Sequence, residues 1–172
     1  MKWNIDVTHS QAEFAVKHMM ISTVRGRFKT LTGHGESDAS GALTSVRMEI
    51  DAASIDTNVQ QRDDHLRSPD FFDVANHPQL VFTSTTITQS GSDITITGDL
   101  AMHGVTHPVT LSGEYSAPMK DPWGMQRASL VVSGKLNRKD WGLGWNMALE
   151  AGGVIVSEEV KLTVEVEATA TA

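Results

Sequence analysis

Apolar and polar residues alternate one by one along most of the chain. This period of two is typical of β-strands that bury one face, because successive side chains of a strand point to opposite sides. The alternation is seen in six segments, residues 12–18, 46–51, 93–100, 109–115, 128–136 and 160–167. Three further segments, residues 3–6, 26–35 and 80–87, are also predicted to be strands.

Short turn signals separate these predicted strands. Residues 40–41, 90–92 and 121–124 are rich in Gly, Pro, Ser and Asp, which favour tight turns. Many strands joined by short turns suggest a sandwich or a closed up-and-down barrel, and closure leaves no unpaired edge strand. With 172 residues the chain fits one domain, predicted to span residues 1–172.

Three segments depart from the alternation. Residues 17–24 are compatible with a short helical turn. The polar segment 58–74 predicts a helix over about residues 59–67, with Asn58 as N-cap and Pro69 ending it. The C-terminal residues 168–172 are predicted to be frayed.

Inward-facing glycines bear on whether the barrel is hollow. Gly98, Gly113 and Gly134 fall on the apolar faces of their strands. A barrel of about eight strands is either filled by side chains or holds one small ligand, and inward glycines leave space for a ligand. Glycines also mark the bends at which barrels corner, and on the glycines alone this second interpretation is favoured.

Charge and composition exclude several classes of partner. The chain has 14 Lys and Arg against 21 Asp and Glu, a net charge of −7, so we expect no nucleic acid to bind. The charges are scattered, which also disfavours a polybasic membrane patch. There is no cysteine, so disulfides and thiolate metal sites are excluded. The first residues lack the apolar run of a signal peptide, and we expect a cytoplasmic protein.

Candidate catalytic and metal residues are present but poorly arranged. His103 and His107 are four residues apart, but Gly104 and Pro108 indicate a turn rather than one helical face. We therefore expect no metal and no cofactor other than a bound lipid.

Two groups of polar residues contain the types found in hydrolases. Asp6, His9 and Ser10 are crowded into five positions, without the signature of a nucleophile elbow or oxyanion hole. Asp63, Asp64 and His65 point in different directions on a helix, and Arg62 and Asp63 are expected instead to attach the helix to the barrel by charged hydrogen bonds. The sequence predicts that the protein is not an enzyme.

Three groups of motifs resemble a known family. The first comprises Trp3-Asn4-Ile5-Asp6, His9-Ser10, Phe14-Ala15-Val16-Lys17-His18 and Val24-Arg25-Gly26-Arg27-Phe28. The second comprises Ser54-Ile55-Asp56-Thr57, Arg62-Asp63-Asp64-His65-Leu66-Arg67-Ser68 and Asp70-Phe71-Phe72-Asp73. The third comprises Gly98-Asp99-Leu100-Ala101-Met102-His103-Gly104-Val105-Thr106 and Asn137-Arg138-Lys139-Asp140-Trp141-Gly142. Together they resemble the YceI-like family of bacterial polyisoprenoid-binding proteins, over nearly the whole chain to about Val166.

The resemblance implies an all-β fold, a lipocalin-like antiparallel eight-stranded β-barrel with one or two short helices. It also implies an elongated apolar pocket for an isoprenoid, quinone or similar long-chain lipid, often in a homodimer. Many members carry a signal peptide and are periplasmic, a pattern from which this sequence departs. The function implied is binding, sequestration or transport of such a lipid.

From the inward faces and the resemblance we expect a set of ligand-contacting residues. They are Phe14, Val16, His18, Met20, Ile21, Phe28, Met48, Ile50, Phe72, Phe82, Leu100, Leu111, Ala128, Leu130, Val132, Trp145, Met147 and Leu162. His18 is either a core histidine bonded to backbone or a contact for the lipid head group. Trp145 and Met147 belong to a glycine-containing loop that either gates the opening or packs on the barrel. The alternatives in function are a solid-cored structural or interaction barrel, and a small hydrolase or metal protein.

Overall fold

The computed structural model describes residues 1–150 and 152–171. These residues contain eleven strand segments, one α-helix and two 3₁₀ turns, Ala52–Ser54 and Arg138–Trp141. The strands are β1 (Lys2–Ile5), β2 (Gln11–His18), β3 (Ser22–Phe28), β4 (Leu31–Ser37), β5 (Leu43–Asp51), β6 (Ile55–Asp56), β7 (Gln79–Ser90), β8 (Asp93–Met102), β9 (Val105–Lys120), β10 (Gln126–Asn137) and β11 (Val156–Ala170). The helix is α1 (Gln60–Arg67). No helix in the described part of the chain is long and apolar enough to cross a membrane.

The strands form one closed antiparallel barrel of eight strand positions. The hydrogen-bonded order runs β1-β4-β5-β7-β8-β9-β10-β11, and β11 pairs again with β1. Three positions are each occupied by two segments in succession: β1 with β2, β3 with β4, and β5 with β6. Accordingly β2 pairs with β11 and β3, and β3 pairs with β6, at the end of the barrel opposite β1. The prediction of an eight-stranded, lipocalin-like barrel is confirmed.

The C-terminal residues close the barrel instead of fraying. Ile5 pairs with Ala168 and Trp3 with Ala170, and the Thr171 amide donates to the carbonyl of Lys2 over 2.9 Å. The prediction of a frayed tail is therefore wrong for residues 168–171, while Ala172 lies outside the described residues. Residues 168–171 are small and lie at the end of the chain, and their pairing partner β1 lies at the other end, so the sequence alone does not reveal the pairing.

The alternating segments all lie in strands, but two neighbouring predictions need correction. The predicted strand 26–35 is interrupted after Phe28, where Lys29 and Thr30 bond to Ser54 and the chain moves from the β3–β6 pair to β4–β5. The predicted helical turn in residues 17–24 is a β-hairpin. Met19 and Met20 form its turn at φ 52° and 63°, in the left-handed region. Methionine gives no turn signal there, so tertiary pairing decides the conformation.

The helix lies across one end of the barrel and begins without the predicted cap. Asn58 has a left-handed φ of 63°, and Val59 is the extended residue before the helix. Asp63 accepts both the Thr57 amide and hydroxyl, at 2.8 and 2.5 Å, and Arg62 donates to Thr57 as well. These bonds attach α1 to the residue that follows β6, which confirms the expected role of Arg62 and Asp63. We call residues 57–77, which lie between β6 and β7, the strap.

Candidate functional site

An apolar cavity of about 210 Å³ lies inside the barrel. Lining residues along β10 run from Ala128 to Leu136, and at about 3.3 Å per residue this corresponds to a length of roughly 26 Å. Trp3 and Tyr115 lie toward one end of this lining, and Arg138 toward the other. The lining is almost wholly apolar, and the space is therefore suited to a hydrocarbon chain rather than to water.

The alternating pattern builds this lining. On β11, Val160, Leu162, Val164 and Val166 all face the cavity, while their neighbours Lys161 and Glu165 point away. Branched apolar residues favour the pleated strand and present short, stiff side chains. The strap completes the lining at one end with Leu66, Phe71 and Phe72, and the Phe72 ring stands edge-on to Phe28 at 5.8 Å.

The inward glycines do not create the cavity. A Cβ at Gly113 would overlap the Val131 carbonyl, and one at Gly98 would overlap the Phe82 ring. At Gly134 a Cβ would lie 2.5 Å from the Thr110 carbonyl oxygen. These glycines allow close backbone and side-chain approach, as the favoured interpretation of bends and corners predicts. The cavity arises instead from the width of the closed barrel.

Most of the predicted ligand-contacting residues lie on the cavity lining. Thirteen do so: Phe14, Val16, Phe28, Met48, Ile50, Phe72, Phe82, Leu100, Leu111, Ala128, Leu130, Val132 and Leu162. They come from eight strands and the strap, and the closed barrel brings them together. Whether each contacts a ligand stays a prediction.

The β2–β3 hairpin carries three other predicted residues away from the lining. Ile21 is 83% exposed and Met20 is 57% exposed, while His18 is half-buried. None of the three is part of the cavity lining. The alternation continues to His18, but the hairpin turn takes the chain beyond the cavity. These three residues therefore lie outside the cavity lining, and a contact of any of them with a ligand stays a prediction.

The loop after β10 holds the last two predicted residues outside the cavity as well. Trp145 packs edge-on to His65, with ring centroids 4.8 Å apart, and lies 5.3 Å from the Phe71 ring. Met147 is 56% exposed. This loop lies over the strap, whose Phe71 does line the cavity, and a contact of Trp145 or Met147 with a ligand stays a prediction.

Arg138 is the functional candidate that the predicted set of contacts omitted. It begins the 3₁₀ turn after β10, is 4% exposed, and lines the cavity. Its guanidinium donates to three backbone carbonyls, those of Leu143, Val156 and Ser157. Within the described residues no carboxylate lies within 4 Å of it. Burial lowers the pKa of Arg138, although an arginine stays protonated in proteins. The only sequence signal for it was its place in a family motif.

Two polar side chains at the opposite end of the cavity are neutral and satisfied. The Trp3 indole donates to Ser37 over 2.9 Å, and the Tyr115 hydroxyl donates to the Gly41 carbonyl over 2.9 Å. Burial, assisted by Asp38, raises the pKa of Tyr115, so the phenol stays uncharged. The cavity therefore has an apolar end with satisfied polar atoms and an end with a buried cation.

The residues that resemble a hydrolase triad are not arranged as one. The Ser10 hydroxyl donates to the Glu167 carbonyl and accepts the Glu167 amide, at 3.3 and 3.1 Å. His9 Nδ1 lies 3.0 Å from Asp6 and 3.1 Å from the Thr8 hydroxyl. A triad needs the histidine between the serine and the acid, whereas here the serine bonds to backbone. Hydrogen bonds from Thr8 and His9 hold the pKa of Asp6 far below its usual range.

Comparisons with known proteins identify close relatives. A model of the YceI-like domain matches residues 3–168. Protein YceI of Escherichia coli is 39% identical over 160 residues, which cover 92% of this chain and 81% of that protein. A UPF0312 protein of Staphylococcus epidermidis is 37% identical over 169 residues, covering 96% of each.

Solved structures share the architecture over nearly the whole chain. Burkholderia cenocepacia BcnA has a TM-score of 0.81 at 24% identity, over 97% of this chain and 99% of that one. A Campylobacter jejuni YceI protein has a TM-score of 0.79 at 27% identity, over 91% and 90%. A polyisoprenoid-binding domain from Saccharophagus degradans has a TM-score of 0.70 at 18% identity, over 98% of each chain.

Proposed function

We propose that this chain, which belongs to the YceI-like family, binds a long-chain isoprenoid or quinone-type lipid in its barrel and sequesters or transports it. The observation that carries the proposal is the apolar cavity of about 210 Å³ with a buried cation, Arg138, on its lining. The lipid chain occupies the length of the barrel, and its polar head lies at the Arg138 end.

Energetics favour a ligand over the alternative of a purely structural barrel. At about 24 cal/mol per Å³, an unfilled space of this size costs on the order of 5 kcal/mol. Whole domains are stable by only about 5–15 kcal/mol, so a structural barrel gains by filling such a space with larger side chains. Apolar cavities of about 150 Å³ in another protein stay dry and bind small hydrocarbons. A lipid chain fills the space without the cost of hydrating it.

Chain burial alone does not make the binding selective. Each CH₂ removed from water is worth about 0.8 kcal/mol, but a lipid leaving a membrane loses the same amount. Selectivity must come from the shape of the cavity and from the head group. Arg138 offers a cation that already bonds to three carbonyls, and a phosphate or quinone oxygen at this end would meet a positive potential.

The choice of an isoprenoid rests on the shape of the cavity and on family resemblance. The Saccharophagus degradans domain is described as binding polyisoprenoids, and its likeness in fold makes this lipid class the first to test. A binding role, rather than a catalytic one, also agrees with the bonding of Ser10 to backbone instead of to His9. Loss of a measured esterase activity on Ser10→Ala would instead favour the hydrolase alternative.

Organic extraction of the purified protein, followed by mass spectrometry, tests the proposal. We expect a lipid of isoprenoid or quinone type at close to one molecule per chain. Delipidated protein is expected to take up geranylgeranyl phosphate, and to bind geranylgeraniol more weakly because the alcohol lacks the anionic head. Repeated preparations without stoichiometric lipid, together with no uptake of either probe, would contradict the proposal.

A further inference from the structure

Two loops outside the cavity bring together two histidines and an aspartate. Asp73, His77 and His103 each offer one ligand atom, and these three atoms lie within 4.8 Å of one another. All three residues are half-buried. The centroids of the His77 and His103 rings are 5.0 Å apart. The lipid-binding proposal uses none of these side chains.

The backbone holds the three residues at fixed positions. Asp73 and His77 lie in the last part of the strap, where the His77 amide donates to the Asp73 carbonyl over 2.9 Å. His103 lies in the turn between β8 and β9. Gly104 follows it at φ 73°, and a Cβ there would come within 2.9 Å of the His77 ring. The glycine thus lets the two histidines approach each other.

Neighbouring groups orient two of the candidate ligands. His103 Nδ1 lies 2.9 Å from the Trp141 carbonyl oxygen. A carbonyl only accepts, so Nδ1 carries the proton and Nε2 keeps a free lone pair. The Asn76 amide donates to Asp73 Oδ2 over 2.9 Å, which orients that carboxylate. A second group that donates or accepts behind each ligand is the usual arrangement at protein metal sites.

A second cluster of similar composition is unsuited to a metal. Asp6, His9 and Glu167 also lie within 4.8 Å of one another. Arg127 forms ion pairs with both Asp6 and Glu167, so a guanidinium already occupies oxygens of both carboxylates and would repel a cation. No ion pair of Asp73 is found among the described residues, where Asn76 is its side-chain partner.

We propose that Asp73, His77 and His103 bind one divalent transition-metal ion, with zinc as the best match to two imidazoles and a carboxylate. Zinc bonds to such ligands at about 2.0–2.2 Å and is usually tetrahedral, so three protein ligands leave the fourth position to water. Ligand atoms around such an ion are roughly 3.3 Å apart, and the two loops draw together slightly on binding. From the spacing of His103 and His107 we expected no metal. The cluster proposed here pairs His103 with His77 instead, so that expectation does not bear on it.

An ion at this position ties the strap to the β8–β9 turn. Asp73 directly follows Phe72, which lines the cavity, whereas His103 directly follows the lining residue Met102. The metal therefore joins the strap to the barrel wall beside the lipid. Zinc should slow hydrogen exchange of the amides in residues 71–77.

Titration of zinc alone into chelator-treated, full-length protein tests the proposal, with a chromogenic chelator as competitor. We expect one zinc per chain, and Co²⁺ in its place should give the absorption bands of a tetrahedral site. His77→Ala and Asp73→Asn are each expected to bind zinc at least about tenfold more weakly, because each removes a ligand. His9→Ala removes the corresponding histidine of the second cluster and should leave zinc affinity unchanged.

Circular dichroism of each variant first establishes that the barrel is folded. The proposal is overturned if folded wild-type protein binds no zinc in the micromolar range. It is also overturned if both cluster variants bind zinc as tightly as wild type, or if His9→Ala alone abolishes binding. Because His77→Ala and Asp73→Asn change different positions of the strap, the test still holds if one of the two variants does not fold.

Discussion

Two arginines stand at the two ends of β10, and their surroundings differ completely. Arg127, the second residue of the strand, lies among the carboxylates of Asp6, Asp121 and Glu167. Its side chain is 27% exposed, and hydrogen bonds from it to Asp121 and Glu167 raise its pKa. Arg138, directly after the strand, is 4% exposed and bonds only to backbone carbonyls in the described structure.

The two arginines therefore have different roles in the barrel. At the Arg127 end an ion network on the outside joins the residue after β1, the β9–β10 turn and β11, with three carboxylates around one guanidinium. At the Arg138 end the charge is buried beside an apolar cavity, where three carbonyls accept its hydrogen bonds and the Glu158 carboxylate favours the charged form from more than 4 Å away. Burying a cation in this way is costly, since desolvation opposes it. A ligand with an anionic or electron-rich head would offset part of that cost.

The largest expected effect is that of Arg138→Met. Hydrogen bonds to charged groups are worth about 1.5–3 kcal/mol each, and this change removes the guanidinium from three carbonyls, of which Val156 keeps a second donor in the Asn146 amide. Relief of the buried charge offsets part of the loss, so we expect the free energy of unfolding to fall by roughly 3–5 kcal/mol. Urea denaturation measures it. Arg138→Lys, which keeps the charge, should be intermediate. If the free energy of unfolding falls by less than about 1 kcal/mol, Arg138 contributes no more to stability than a surface ion pair does. The contrast with Arg127 would then be contradicted.

The next effect tests whether the cavity reaches both ends of β10. Ala128 lies beside Arg127 and faces the cavity. In a solid core Ala128→Phe would cost about 1–3 kcal/mol, whereas in a cavity the ring occupies the space of the ligand. We expect delipidated protein to lose less than about 1 kcal/mol while lipid uptake is abolished. Val16→Trp, on β2, should behave in the same way.

Val131→Phe is the matched control for this prediction. Val131 lies on β10 but is 45% exposed on the outer face, so an added ring there meets solvent. Its stability and lipid uptake should both match wild type. If Ala128→Phe and Val16→Trp both unfold at much lower urea concentrations than delipidated wild type, the interior is packed and the cavity is not a ligand site.

Arg127→Met is expected to have a smaller effect on stability, and this effect should depend on pH. A hydrogen bond from Arg127 is the main cause of the lowered pKa of Asp121. A carboxyl whose pKa is lower in the folded state stabilises above its unfolded pKa, near 4, and this contribution is lost as pH falls through the folded pKa. At pH 7 we expect the melting temperature of the variant to lie a few degrees below that of wild type. This difference in melting temperature should shrink toward pH 2. A gap that is constant with pH would indicate a packing effect instead.

The smallest effect is that of His9→Ala. The hydrogen bond that His9 donates to Asp6 raises the pKa of His9. A histidine whose pKa is raised in the folded state stabilises fully below its unfolded pKa, near 6.5, and the contribution disappears as pH rises through the folded pKa. The side chain is 62% exposed, so solvent weakens the pair. In thermal melts the variant should be slightly less stable than wild type at pH 5. At pH 9 the two proteins should have the same melting temperature. Equal differences at both pH values would refute the assignment.

The fold class and most of the cavity wall could be predicted because they depend on a local pattern. Alternation along β10 and β11 shows which side chains share a face, and a closed sheet turns that face inward. Val132 and Leu162 were thus placed on the lining without knowledge of any pairing. The family motifs added the strand number, whereas the class of ligand that they imply stays a prediction.

The tertiary structure decided everything that depends on residues distant in sequence. The local pattern ends at His18, and only the hairpin, with Met19 and Met20 in left-handed conformations, removes that side chain from the cavity. Arg138 looks like an ordinary turn arginine until the loop carbonyls surround it. His77 and His103 are separated by the whole of β7 and β8, and only their antiparallel pairing brings the two rings within 5.0 Å. Alternation records which way a side chain points, whereas the identity of its neighbours is set by how the barrel closes.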